Sequence, residues 1–188
     1  MTSEPGLVNV ANVLTMVRIL LVPVFVACLL AGGTAWRLAA LVVFCVASLT
    51  DLLDGRLARR RGLVTDFGKI ADPVADKALT GAALICLSAL GELPWWVTGV
   101  IMFRELGVTA LRFWVIHRGV IAAGRGGKLK TLLQVIAICL YILPETLSPP
   151  GIVRGLVMGA AVVVTVLTGV DYVQQAMRLR RSESAPGG

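Results

Sequence analysis

Four aspartates lie within or beside stretches of this chain that are apolar enough to be buried in a lipid bilayer. They are Asp51, Asp54, Asp72 and Asp76. An ionised carboxylate at membrane depth is costly unless it is paired, hydrated or bound to a cation. If both stretches are helical, the first two aspartates are three residues apart and the last two are four apart, so each pair lies on one helical face. We therefore expect the two faces to meet and the four carboxylates to share a counter-charge.

The chemistry of this acidic group predicts a metal site. Carboxylate oxygens without a neighbouring histidine or cysteine are ligands of hard cations, which favours Mg²⁺ or Mn²⁺ over zinc. Four carboxylates carry enough negative charge for two divalent ions. The sequence therefore predicts a cofactor of two Mg²⁺ or Mn²⁺ ions held by the four aspartates.

The composition is that of a helical membrane protein. Of 188 residues, 57% are hydrophobic, and the mean hydropathy is +0.85, which is too apolar for an ordinary soluble domain. Six stretches have the length and hydropathy of membrane spans; they are residues 11–30, 36–59, 67–90, 95–117, 129–143 and 152–173. We predict an all-α, polytopic membrane protein with six transmembrane helices.

A single catalytic domain is expected over residues 1–178. Its first part, residues 1–10, has apolar residues among polar neighbours and is expected to lie on the membrane surface. Residues 179–188 are expected to form a disordered cytoplasmic tail.

Basic residues follow the second, fourth and sixth predicted spans. The connections on the opposite side are nearly free of basic residues apart from Arg37. Cytoplasmic connections of membrane proteins concentrate lysine and arginine. This pattern predicts a multi-pass protein of the cell membrane whose two termini and acidic site face the cytoplasm. It also accounts for the net charge of +7 without a nucleic-acid partner.

The aspartates belong to a longer pattern, DxxDGxxAR, eight further residues, and GxxxDxxxD. Its other fixed positions are Gly55, Ala58, Arg59 and Gly68. With all eight fixed positions present, the chain resembles the CDP-alcohol phosphotransferase family. The stretches NVLTMVRILLVPVF, DPVADK, FREL and GKLKTLLQ extend the resemblance over residues 8–143. Within the family, they are most similar to members whose acceptor is glycerol 3-phosphate.

The resemblance implies the reaction and the roles of the motif residues. The phosphatidyl group of CDP-diacylglycerol would pass to glycerol 3-phosphate, giving phosphatidylglycerophosphate and CMP. Asp76 would take the proton of the attacking hydroxyl, besides sharing the metals with the other three aspartates. Binding of CDP-diacylglycerol would fall to Gly55, Ala58, Arg59 and Gly68. The resemblance also implies a homodimer among membrane lipids.

A phosphorylated acceptor requires cationic partners, and guanidinium groups supply both charge and orientation. The candidates are Arg104, Arg112, Lys128 and Lys130. Glu105 either belongs to this group or only neutralises a basic neighbour.

Two other classes of function remain open at this stage. One is a transferase of the same family with inositol phosphate or phosphatidylglycerol as acceptor. The other is a cation carrier that uses the acidic group as its binding site. The nearly uncharged outer halves of the spans argue against a carrier. A purely structural ion-pair network with Arg56, Arg59 and Lys77 would leave the complete motif as coincidence.

Overall fold

The computed structural model describes the backbone of residues 10–61, 66–115 and 125–183, and the side chains of residues 13–50, 75, 77–111 and 127–177. All regular structure in these residues is helical, which confirms the predicted all-α class. The helices are α1 (Val10–Ala31), α2 (Gly33–Arg61), α3 (Asp66–Ala89), α4 (Trp95–Val115), α5 (Arg125–Ile142) and α6 (Gly151–Glu183).

Within the part of the chain that the structure describes, three helices contain a stretch long and apolar enough to cross a membrane. These stretches are Val13–Ala31, Gly33–Thr50 and Gly151–Met177. They give the protein the character of a multi-pass membrane protein. In α3 the apolar part is shorter, at Lys77–Ala89, and α4 and α5 also carry charged residues within the helix. Six transmembrane helices therefore stay a prediction.

A one-residue connection joins α1 to α2. Gly32 and Gly33 have φ values of 71° and 76°, a left-handed conformation that glycine adopts without steric cost. The chain therefore ends α1 and turns back at once into an antiparallel helix. The rings of Phe25 and Phe44 pack across this hairpin with centroids 5.7 Å apart.

The chain divides into two compact units. Met1–Leu93 with Ile138–Pro149 form the first, and Pro94–Ala137 with Pro150–Gly188 form the second. In the first unit α1 packs against both α2 and α3, and α2 also contacts α3. In the second unit α4 packs against α6. The single catalytic domain expected from the sequence stays a prediction.

The predictions for the two terminal segments have different outcomes. Residues 1–9 of the expected surface segment lie outside the described residues. At the other end, α6 continues to Glu183 and so includes the first half of the tail that was expected to be disordered. The last residues of that tail lie outside the described residues.

Arg37, the exception to the charge pattern, is neutralised within the first unit. Its Nη2 donates to Oε1 of Glu92, in the connection after α3, and lies 3.5 Å from the carbonyl oxygen of Tyr141 at the end of α5. Because both side chains are partly buried, the carboxylate removes the cost of an isolated positive charge at this position.

Candidate functional site

The four aspartates lie on α2 and α3 near the ends of these helices that the chain connects. Only residues 62–65 separate the two helices, and so short a connection makes neighbouring helices antiparallel. Asp54 lies seven residues before the end of α2, and Asp72 six residues after the beginning of α3. Asp51 and Asp76 each lie ten residues from the same ends. At 1.5 Å per residue these distances are about 10 Å and about 15 Å, so the two pairs are at matched depth.

The aspartate positions also continue the buried rows of their helices. In α2 the fully buried residues Ala40, Phe44 and Ala47 are spaced by four and three residues. The same alternation leads on to Asp51 and Asp54. These two positions therefore share the helical face that is buried in the first half of α2.

Helix α3 has the same arrangement in the opposite chain direction. From Asp72 and Asp76, steps of three, four and three residues lead to Leu79, Ala83 and Cys86, which are all buried. Each helix thus has one row that is apolar in one half and acidic in the half near the connection.

The side chains of several predicted site residues lie outside the described ones. These residues are Asp51, Asp54, Gly55, Ala58, Arg59, Gly68, Asp72, Asp76 and Arg112. Their backbones are helical, so helix register and the chemistry of the donor set are what indicate a metal site. Carboxylates at matched depth on two contacting helices fit a divalent cation with oxygen ligands.

A buried arginine lies at the level of the acidic rows. Arg18 of α1 is only 1% exposed. It lies seven residues before Phe25, and Asp51 lies seven residues after Phe44. Since these two rings are in contact across an antiparallel pair, two helical turns in each direction bring Arg18 and Asp51 to the same level. In the sequence Arg18 belongs to the stretch NVLTMVRILLVPVF that resembles the family, but polar packing of the first span was a nearly equal explanation.

In the second unit the structure brings two of the predicted acceptor-binding residues together through Glu105. The Oε1 atom of Glu105 accepts a hydrogen bond from Nη1 of Arg104 at 3.0 Å and another from Nζ of Lys130. Only 15% of the Arg104 side chain, 12% of Glu105 and 8% of Lys130 are exposed. One largely buried carboxylate therefore bridges two largely buried cations. Lys128, by contrast, is exposed.

Helix α6 contacts the guanidinium group of Arg104 through its second terminal nitrogen. Its Nη2 donates to Oγ1 of Thr168 at 3.1 Å, and that hydroxyl in turn donates to the carbonyl oxygen of Val164 at 2.7 Å. The next residue, Gly169, lies against the stem of Arg104, so close that an added Cβ would be 3.0 Å from Cγ. Thr168 and Gly169 were not predicted, because nothing in the local sequence of α6 indicates an arginine of another helix.

A polar contact joins α5 to α6 one helical turn after Lys130. The Nε2 atom of Gln134 donates to Oγ1 of Thr165 at 3.0 Å, and both side chains are buried. Lys130 and Gln134 are four residues apart and therefore lie on one face of α5. That face carries polar groups into the interior of the second unit.

An all-α membrane protein with a DxxDGxxARx₈GxxxDxxxD motif on two contacting helices defines a class of lipid-modifying transferase. The family model of CDP-alcohol phosphatidyltransferases matches residues 8–167, and the chain belongs to this family. The resemblance found in the sequence is thereby confirmed. Members of the family generally use divalent metal ions.

Curated relatives cover most of the chain. A protein of Mycobacterium tuberculosis named probable phosphatidylglycerophosphate synthase is 53% identical over 173 residues, which are 90% of this chain and 82% of the relative. A CDP-diacylglycerol–glycerol-3-phosphate 3-phosphatidyltransferase of Bacillus subtilis is 40% identical over 87% of this chain and 93% of its own length. One of the same name from Escherichia coli is 38% identical over 69% of this chain and 74% of its own length.

Proposed function

We propose that this protein transfers the phosphatidyl group of CDP-diacylglycerol to sn-glycerol 3-phosphate, releasing phosphatidylglycerophosphate and CMP. The observation that carries the proposal is the complete acidic motif at matched depth on α2 and α3, in a chain whose relatives are named for this reaction. The bonds change in one step. A hydroxyl oxygen of the acceptor attacks the lipid-linked phosphorus, and the bond from that phosphorus to the oxygen retained by CMP breaks.

The four aspartates would hold two Mg²⁺ or Mn²⁺ ions, as their number and their oxygen donors suggest. When bound, such ions neutralise a pyrophosphate and stabilise the charge that develops on the leaving group. Asp76 is proposed to take the proton of the attacking hydroxyl, which requires a carboxylate within hydrogen-bond reach of it.

The other motif residues are proposed to bind the nucleotide substrate. Gly55, Ala58 and Gly68 have little or no side chain, so the cytidine and the phosphates can approach the helix backbones closely. Arg59 would pair with the phosphates of CDP-diacylglycerol. These roles come from the match to the family motif, position by position.

In the second unit Arg104 and Lys130, with Arg112 and Lys128, are proposed to bind the phosphate of the acceptor. The support for Arg104 and Lys130 is their burial and their common partner, Glu105. Lysines and arginines that serve only as topological charges lie in water-exposed connections. A buried pair of cations has a different purpose, and a phosphate dianion is a suitable ligand for it.

The membrane orientation is part of the same proposal. With basic residues after the second, fourth and sixth helices, both termini and the acidic site would face the cytoplasm in the cell membrane. The pairing of Arg37 with Glu92 supports this orientation, because it neutralises a basic residue on the other side. A homodimer is proposed from the family alone.

The test is CMP release by the purified protein in detergent with CDP-diacylglycerol and Mg²⁺ or Mn²⁺. Glycerol 3-phosphate, inositol phosphate, serine and phosphatidylglycerol are compared as acceptors. We expect release with glycerol 3-phosphate only, and its loss when the metal is chelated. Selective release with another acceptor would replace the substrate assignment and keep the reaction class. Silence with all four acceptors in folded protein would favour a cation carrier.

A further inference from the structure

A carboxylate in the middle of a phosphate-binding cluster needs an explanation, because it repels the ligand. Glu105 has this position, with Arg104 on one side and Lys130 on the other. If it only weakened binding of the acceptor, the cluster would be better without it. Its contacts indicate a different purpose.

The hydrogen bonds of the cluster leave donors available. A lysine ammonium has three N–H donors and a guanidinium five. Glu105 accepts from Nη1 of Arg104 and from Lys130, and Thr168 accepts from Nη2. The Nε atom of Arg104 is buried and has no hydrogen-bond partner among the described residues. A phosphate could therefore bind to Arg104 and Lys130 while both keep their contacts with Glu105.

The burial of these side chains decides what happens when the acceptor is absent. Two cations that are 15% and 8% exposed would repel each other and lack solvation without a permanent counter-charge. Lys130 would then turn toward water, and this change removes a donor from the site. Thr168 alone would hold one edge of Arg104 and would leave Lys130 without orientation.

We propose that Glu105 is a positioning residue, which holds Arg104 and Lys130 in the orientation that the acceptor phosphate requires. The proposal rests on the function proposed above, since it concerns the same acceptor. Glu105 acts through the two cations and does not touch the reacting atoms. The gain from a pre-oriented pair of cations exceeds the repulsion between its carboxylate and the phosphate.

The first experiment is Glu105→Gln in the full-length protein, which removes the charge and keeps the shape. We expect the KM for glycerol 3-phosphate to rise about tenfold, equivalent to 1.4 kcal/mol, while the KM for CDP-diacylglycerol stays unchanged. The matched control is Glu145→Gln, since Glu145 is an exposed carboxylate in the connection after α5. An unchanged or lower KM for the acceptor in Glu105→Gln would overturn the proposal, because it would make Glu105 a bystander or a competitor of the phosphate.

The second experiment combines Glu105→Gln with Lys130→Gln. Glu105→Gln alone leaves the buried ammonium of Lys130 without a carboxylate and could misfold for that reason. The double variant removes this ammonium too. Because Glu105 acts partly through Lys130, the double variant will have a KM for the acceptor that is lower than the product of the two single effects predicts. A KM raised by the product of the two single effects would overturn the coupling. If Glu105 has only a structural role, its replacement will lower kcat and leave the ratio of the KM for glycerol 3-phosphate to the KM for CDP-diacylglycerol unchanged. That result also contradicts the proposal.

The unsubstituted protein separates this inference from the proposed function. If it uses inositol phosphate or phosphatidylglycerol, the assignment of glycerol 3-phosphate is wrong, and the same variants test Glu105 with the phosphate of that acceptor. If its acceptor is serine, which has no phosphate, both proposals are overturned.

Discussion

Replacement of Gly169 by alanine tests whether the position of Arg104 matters for the acceptor. A Cβ atom at Gly169 would lie 3.0 Å from Cγ, 3.5 Å from Nε and 3.8 Å from Cδ of Arg104. Carbon atoms in contact are separated by about 3.5–4.0 Å. The stem of Arg104 must therefore move away from α6 by about 0.5 Å or more to restore that separation.

The hydrogen bond to Thr168 has little room for such a movement. It is 3.1 Å long, near the upper limit of about 3.2 Å for a good N–H···O bond. A hydrogen bond of a charged group contributes about 1.5–3 kcal/mol, and Gly169→Ala should lose about half of this, so we expect the KM for the acceptor to rise about fourfold to twelvefold. Because alanine favours a helix by up to about 1 kcal/mol over glycine, the crowding and the propensity should nearly cancel in overall stability.

The matched control is Gly159→Ala in the same helix, where an added Cβ meets nothing within 4 Å. The assay compares the KM for glycerol 3-phosphate, the KM for CDP-diacylglycerol and the thermal unfolding midpoint of both variants in detergent. We expect a selective rise of the acceptor KM in Gly169→Ala only. The reasoning is refuted if the two variants have the same acceptor KM, or if both substrates are affected equally in Gly169→Ala.

Two further predictions concern the first unit. Asp72→Asn should abolish CMP release, because it removes one charge from the proposed metal ligands, and should spare membrane insertion; normal release would contradict the metal site. Arg37→Gln should lower the unfolding free energy by about 1 kcal/mol, since Glu92 is left as a partly buried charge, and Arg37→Gln with Glu92→Gln should recover most of the loss. Identical unfolding midpoints of the single variant and the unsubstituted protein would show that the ion pair contributes nothing to stability.

The acidic motif could be predicted because its information is local. Within a helix, residues three or four apart lie on one face. Asp51 and Asp54 therefore share a face of their helix, and so do Asp72 and Asp76. The basic cluster is different. Lys130 and Glu105 are 25 residues apart on different helices, so their pairing depends on the packing of α4 and α5 and cannot be read from spacing. The sequence could identify Lys130 as a candidate for the acceptor but could not identify Glu105 as its partner.

Gly169 and the glycines of the first connection show the same limit. A glycine inside an apolar helix has several explanations, and only the tertiary structure reveals that the stem of Arg104 fills the space beside Gly169. Two adjacent glycines lie at the α1–α2 connection, where such residues favour a turn. The predicted second span nevertheless began at residue 36, whereas α2 begins at Gly33, because a positive φ at two successive residues completes the reversal sooner than a longer loop would.

The proposed sites of the two units are built from groups of opposite charge, and this difference follows the ligands proposed for them. In the first unit four aspartates lie on α2 and α3, and one fully buried arginine, Arg18, lies at their level. Carboxylates at membrane depth are costly unless they are paired, hydrated or bound to cations, and two facing pairs of them are suited to the divalent ions proposed as their ligands. In the second unit Glu105 offsets only one of the charges of Arg104 and Lys130. The remaining positive charge of this cluster is matched to the phosphate that is proposed as its ligand.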